Sequence, residues 1–159
     1  MPEEEQCRQA EKTALRLIAR AEQCSGGLSR KMEKRGYDSA CIRNVIARLF
    51  ELNLLDDRRY ARMWLQSRLH FTRSPKRLLA SLCAKGIDRD DGEAALNEVL
   101  CEETEFSLLI RYVKKRAKKT SGDLRFAGKN NSSVTRNVKF LLKSEGFSSA
   151  VIQKFLDEE

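Results

Sequence analysis

Three phrases of this chain, LSRKMEKRGYDSACI, LLASLCAKGIDRDDG and VKFLLKSEGFSSAVI, place apolar residues at the same distances from a glycine. Leu28, Leu78 and Val138 stand eight residues before Gly36, Gly86 and Gly146, and Met32, Leu82 and Leu142 stand four before. That spacing marks one face of a helix. A large apolar residue follows each glycine (Tyr37, Ile87, Phe147), and then comes a side chain suited to N-capping (Asp38, Asp88, Ser148). Each phrase therefore predicts a helix, a glycine C-cap in the left-handed conformation, an apolar plug and the capped start of the next helix. Ten residues past each glycine the pattern meets again at Ile46, Leu96 and Leu156.

An amphipathic helix is also predicted before each phrase, roughly over 12–23, 57–70 and 104–118, with Leu15 matching Leu65. The chain reads as three copies of a three-helix unit of about fifty residues. Such a unit buries too little to stand alone, so the copies are expected to stack. The expected organisation is an N-terminal extension (1–11) and repeats at 12–56, 57–103 and 104–159. The third repeat carries a longer Gly/Asn/Ser-rich loop over 120–133. The fold class is all-α, as an elongated, curved array of three tandem repeats. Only two prolines in 159 residues agree with helix throughout.

Charge changes the picture from fold to surface. The formal net charge is +8, and it is uneven: residues 104–159 hold twelve basic groups against six acidic, while residues 1–57 hold ten of each. Such a field draws polyanions or acidic protein surfaces. Five cysteines, an odd number with no C-x-x-C pair, and a single histidine favour reduced thiols in a cytoplasmic protein over a zinc set. No stretch approaches the ~20 apolar residues of a membrane span.

A catalytic constellation is missing: there is no G-x-S-x-G, Gly-rich phosphate loop or paired metal-ligand spacing. Asp56 and Asp57 follow LNLL and precede a helix, where carboxylates cap amides. His70 is expected as a surface or packing residue, and Cys41 and Cys83 as small buried groups. No enzyme, metal or cofactor is expected.

Arg58–Arg77 holds seven basic residues and no acid. Ala61, Trp64, Leu65 and Leu69 form an inward stripe, which puts Trp64 and Tyr60 in the core, with Arg58, Arg59, Arg62 and Gln66 on the opposite side. Arg68 follows. Then Arg73, an N-capping Ser74, Pro75 at the first helical position, Lys76 and Arg77 bring cations to a helix start, where they oppose the macrodipole by up to about 1 kcal/mol each. Open N–H groups with those cations make an anion site for phosphate or partner carboxylate; the plainer reading is a solvated charged face. A second run, Arg111, Lys114, Lys115, Lys118 and Lys119, belongs to the first helix of the third repeat.

The stretch from Ala14 through LLDDRRYA, with Arg68, SPKRLLASLCAKGI and FLLKSEGFSSAVI, resembles the RecX family of bacterial recombination regulators over about residues 12–157. The most specific part is LLDDRRYA with RSPKRLL and KGI at their intervals. The resemblance implies tandem three-helix repeats without catalytic residues. It also implies binding to the RecA recombinase filament on single-stranded DNA, damping ATP hydrolysis and strand exchange, with the family's basic positions matching Arg58, Arg62, Arg68, Arg73 and Arg77. A monomer is expected, with DNA contacted weakly or within the filament. The rival expectation is an autonomous nucleic-acid-binding protein with helix-turn-helix-like modules.

Overall fold

The glycine-centred phrases fold as their spacing requires. The computed structural model describes residues 2–119 and 132–158, and among these nine α-helices follow one another without a strand. They are α1 (Glu3–Arg20), α2 (Ser25–Glu33), α3 (Ser39–Glu51), α4 (Asp57–Arg68), α5 (Pro75–Ala84), α6 (Arg89–Val99), α7 (Glu102–Lys119), α8 (Ser132–Ser144) and α9 (Ser149–Glu158). Gly36, Gly86 and Gly146 end α2, α5 and α8 with φ of 84°, 94° and 91°. At each, the amide after the glycine returns to a carbonyl in the last turn: Tyr37 to Met32, Ile87 to Leu82 and Phe147 to Leu142. The glycine amides return to Glu33, Cys83 and Lys143, so carbonyls that a helix end leaves open are satisfied.

The turn also drives the next residue inward. Ile87 and Phe147 are buried, and half-buried Tyr37 sets its hydroxyl 2.8 Å from Thr13 Oγ1. Asp38 and Asp88 then cap α3 and α6 by accepting from the Ala40 and Asp90 amides. Leu28, Met32, Leu78, Leu82, Val138 and Leu142, the predicted inward positions, are each no more than 5% exposed. Burying each side chain of this size contributes about 1.5–3 kcal/mol.

The first helix departs from expectation in register. Leu15 is exposed while Leu65 is buried, and Ala14 takes the inward place. The α1–α2 connection covers residues 21–24 and the α4–α5 connection 69–74, so counting back from the glycine misaligns the two helices. Helix α1 also begins at Glu3 rather than near residue 12; Glu3, Glu4 and Glu5 in its first turn meet the positive end of its dipole. Residues 120–131 of the expected loop lie outside the described residues, and Ser132 and Ser133 already belong to α8.

The chain packs as two units, Met1–Trp64 with Ser81–Ala95, and Leu65–Ala80 with Leu96–Glu159. The first has a core of Ala10, Ala14, Leu28, Met32, Ile42, Val45, Leu49 and Leu55. The second buries Leu78, Leu108, Leu109, Val138, Leu142, Phe147, Val151, Ile152 and Phe155.

One joint recurs inside both. In the first unit the start of α2 lies on the glycine turn that ends α5: a Cβ on Gly26 would fall 2.5 Å from Gly86 Cα, and Cys24 Sγ and Arg30 Nη1 donate to the Lys85 and Ala84 carbonyls. In the second the start of α5 lies on the turn that ends α8. There the Lys76 amide donates to the Glu145 carbonyl at 3.0 Å, and a Cβ on Gly146 would stand 3.1 Å from Lys76 N. Positions 26 and 76, fifty apart, thus play one part.

The cysteines correct two expectations. Cys7 and Cys41 form a disulfide, so they are not reduced thiols: α1 extends past Cys7 and lays it on the first turn of α3. Cys41 is buried as expected, but Cys83 is exposed, because it sits one position past the inward Leu82. No described helix is long and apolar enough to cross a membrane.

Candidate functional site

The second unit brings the two basic runs together. Thr72, Arg73, Ser74 and Arg77, leading into α5, and Tyr112, Lys115, Arg116 and Lys119, on α7, line an open groove of about 150 Å³. The α7 residues stand at i, i+3, i+4 and i+7, which is one helix face. Among the described residues, five of the eight that line the groove are cations, all exposed, and none is a carboxylate. The α7 dipole adds little positive field here, since these residues lie toward its C-terminal half, where cations meet the negative end favourably.

Backbone anchors hold the walls. Arg111 Nη2 donates to the Leu69 carbonyl at 2.9 Å, tying α7 to the segment after α4. Tyr112 packs its ring 5.5 Å from that of buried Phe147, and its hydroxyl accepts from Arg116 Nη1 at 3.0 Å. The plug behind Gly146 thus braces the aromatic wall of the groove.

The start of α5 differs from the expected open anion site. Its Lys76 amide is taken by the Glu145 carbonyl, and its Arg77 amide points to Ser74 Oγ at 3.4 Å. Fully buried Ser74 in turn donates to the Glu145 carboxylate at 2.6 Å. An internal acid occupies the helix end, and the cations project beside it into the groove.

Of the residues singled out by sequence, the structure gathers Arg73, Arg77, Lys115 and Lys119. Lys76, Lys114 and Lys118 are exposed but outside the lining, the last two because they fall off the Tyr112 face. Arg111 serves as an anchor. Arg68 is half-buried with its guanidinium 5.5 Å from the Phe71 ring. In the first unit, Arg59 meets Glu22 through Nε and Nη2, both at 2.7 Å, and Arg58 lies 3.8 Å from Asp91; half-buried Arg62 is on the same helix. Arg116, Tyr112 and Thr72 join the site without having been singled out by sequence, although the i, i+4, i+7 spacing of 112, 116 and 119 marks the first two.

The acids and aromatics serve structure. Asp56 caps α4 by accepting from the Arg59 amide. Asp57 reaches back instead, accepting from Ser25 N at 2.7 Å and Ser25 Oγ at 2.5 Å, and so caps α2, whose own N-cap position, Cys24, makes no such bond. Glu105, buried on α7, accepts from Ser148 N and Oγ in the same manner. Trp64 is buried, Tyr60 half-buried, and exposed His70 stacks 4.1 Å from Phe71. Among the described residues no group of three or more His, Cys, Asp or Glu is placed to hold a metal ion.

Comparison with known proteins agrees with this modular three-helix architecture. Residues 10–49 match the family description "RecX, first three-helix domain", and residues 56–96 match "RecX, second three-helix domain". A regulatory protein RecX of Treponema pallidum (strain Nichols) is 33% identical over 117 residues, 73% of this chain and 71% of that protein. The chain belongs to the RecX family. A RecX of Mycobacterium ulcerans (strain Agy99) is 32% identical across 90% of this chain and 80% of its own length. The crystal structure of RecX from Lactobacillus salivarius shares the fold, with a TM-score of 0.71 at 21% identity over 97% of this chain and 96% of that one. The two RecX domain matches end at residue 96, before α7, so the groove's second wall lies beyond them.

Proposed function

We propose that this RecX-family chain is a cytoplasmic, monomeric, non-enzymatic regulator of the RecA recombinase, acting in recombination and DNA repair. It binds the RecA filament on single-stranded DNA and damps ATP hydrolysis and strand exchange. The observation that carries the reading is the groove where Arg73, Arg77, Lys115, Arg116 and Lys119 converge, with no carboxylate among the described residues that line it, in a chain whose relatives are named regulatory proteins. A guanidinium offers paired donors to a phosphate or carboxylate, and several cations on one wall follow a polyanion better than one site could. The filament is favoured over bare DNA because weak contacts from several modules add when their partners are held at fixed spacing.

The basic residues outside the groove, Arg58, Arg59, Arg62, Arg68, Lys76, Lys114 and Lys118, supply secondary contacts or general field. Co-sedimentation with RecA filaments, with bare single-stranded DNA as control, tests the reading on the wild type and on the triple variant Arg73→Glu, Arg77→Glu, Lys115→Glu. The wild type should pellet with filaments at concentrations where bare DNA leaves it in solution. The variant should lose filament binding and ATPase inhibition together. Intact inhibition by the variant removes the groove from the mechanism. Equal binding to bare DNA and filaments at one salt concentration favours an autonomous nucleic-acid binder.

A further inference from the structure

The Cys7–Cys41 disulfide encloses a sequence separation of 34 residues and joins α1 to α3, with the Cα atoms 5.1 Å apart. It lies at the edge of the first unit's core. Ala10 and Ala14 are fully buried, whereas residues 3–9 are exposed or half-buried and include Glu3, Glu4 and Glu5. Among the described residues, the hydrogen bonds and ion pairs from α1 to α2, α3 and the turn between them begin at Gln9. The Gln9 carbonyl lies 3.5 Å from Tyr37 Oη, Thr13 Oγ1 meets the same hydroxyl, and Glu11 pairs with Arg48 at 3.0 Å. The first two turns of α1 are therefore held to the unit chiefly by the sulfur bridge.

The two sulfurs are not equivalent. Cys41 is the third residue of α3, in the first turn after the Asp38 cap, where amide N–H groups and the positive end of the dipole stabilise a thiolate. Cys7 follows three glutamates on α1, which disfavour negative charge, and it is half-buried whereas Cys41 is buried. Its greater exposure makes Cys7 the reachable sulfur, and the helix start makes Cys41 the better leaving group, so attack is directed to Cys7.

We propose that Cys7–Cys41 is a reversible thiol–disulfide site, reduced by a dithiol, that clamps and releases the start of α1. One thiolate of the dithiol attacks Cys7 Sγ, the S–S bond breaks, and Cys41 leaves as a thiolate that takes up a proton. The second thiol of the reductant then attacks the mixed disulfide and frees Cys7. Two electrons and two protons pass from the dithiol to the pair, and the reductant ends as its cyclic disulfide. Release detaches the acidic segment from the groove that Glu3, Gln6, Tyr37, Asp38 and Asn44 line with the two cysteines.

The test uses the full chain, oxidised in air and then treated with dithiothreitol, and reads alkylation by mass together with hydrogen exchange. Oxidised protein should protect Cys7 and Cys41 from alkylation in denaturant while Cys24, Cys83 and Cys101 react. Reduction should speed exchange across residues 5–9 by about tenfold or more and lower Tm by roughly 5–12 °C. Cys7→Ser should match the reduced form in either buffer, and a glutathione adduct should form on Cys7. The proposal is overturned if both cysteines alkylate in the oxidised protein, if dithiothreitol leaves the folded bridge intact, or if exchange over residues 5–9 is the same in both states. An adduct on Cys41 instead refutes the direction of attack.

Discussion

Asp57 is the residue whose role sequence alone misassigns in an instructive way. It sits in the first turn of α4, where a carboxylate has a local reason to be, yet both its oxygens serve Ser25. Asp57→Ala should therefore weaken α2 rather than α4, with a loss of about 1–2 kcal/mol in urea unfolding from a missing cap and two orphaned donors. Ser25→Ala, which keeps the amide bond, should cost less; equal losses would show that the hydroxyl bond carries the energy. Cys101 offers a chemical readout of another helix start. Exposed just before α7, its thiol titrates below the usual thiol range because Thr104 Oγ1, 3.0 Å away, and the Thr104 amide both favour the thiolate. A depressed pKa means more thiolate at neutral pH, so Thr104→Val should slow iodoacetamide labelling of Cys101 at pH 7 several-fold. An unchanged labelling rate would show that the hydroxyl is not a donor to this sulfur in solution.

Helix ends, more than helix faces, set how these elements pack. Gly26 is ordinary by its place in α2, and an alanine there would be expected to raise helix propensity by up to about 1 kcal/mol. Its Cβ, however, would meet the Gly86 Cα at 2.5 Å and the Gly86 carbonyl oxygen at 2.8 Å, backbone atoms that cannot turn aside. Gly26→Ala should thus destabilise the first unit by about 1–3 kcal/mol. Gly27→Ala, whose Cβ would meet only Cys24 Sγ at 3.1 Å, should be milder, and thermal unfolding of the pair checks the order. The left-handed glycines, their apolar plugs and the inward Leu, Met and Val positions were legible because each is a local pattern repeated three times. The Gly26–Gly86 contact was not, since it joins residues sixty apart and leaves only a small residue as its trace. The same reason hid Glu145 behind Ser74, and a shortened connection hid Ala14 behind Leu15.

For the protein as a polyelectrolyte, the formal charge of +8 means that any loss of lysine would weaken the proposed attraction to a DNA filament whether or not that lysine touches it. Helix geometry separates the two effects. Lys115 and Lys119 line the groove, whereas Lys114 and Lys118, their exposed neighbours on α7, do not. The double variants Lys115→Gln/Lys119→Gln and Lys114→Gln/Lys118→Gln each remove two charges from one helix, so their long-range fields fall by the same amount. Counterion release depends instead on phosphates contacted, at about 0.7 per contact in the slope of log K against log salt for single strands. The groove pair should therefore flatten the salt dependence of binding to filaments on single-stranded DNA by about 1.4, if each lysine makes one phosphate contact. The off-groove pair should shift the line with little change of slope. Equal slopes in the two variants would mean that α7 acts through its field alone; a shallower slope in the off-groove pair would put the DNA on its other face.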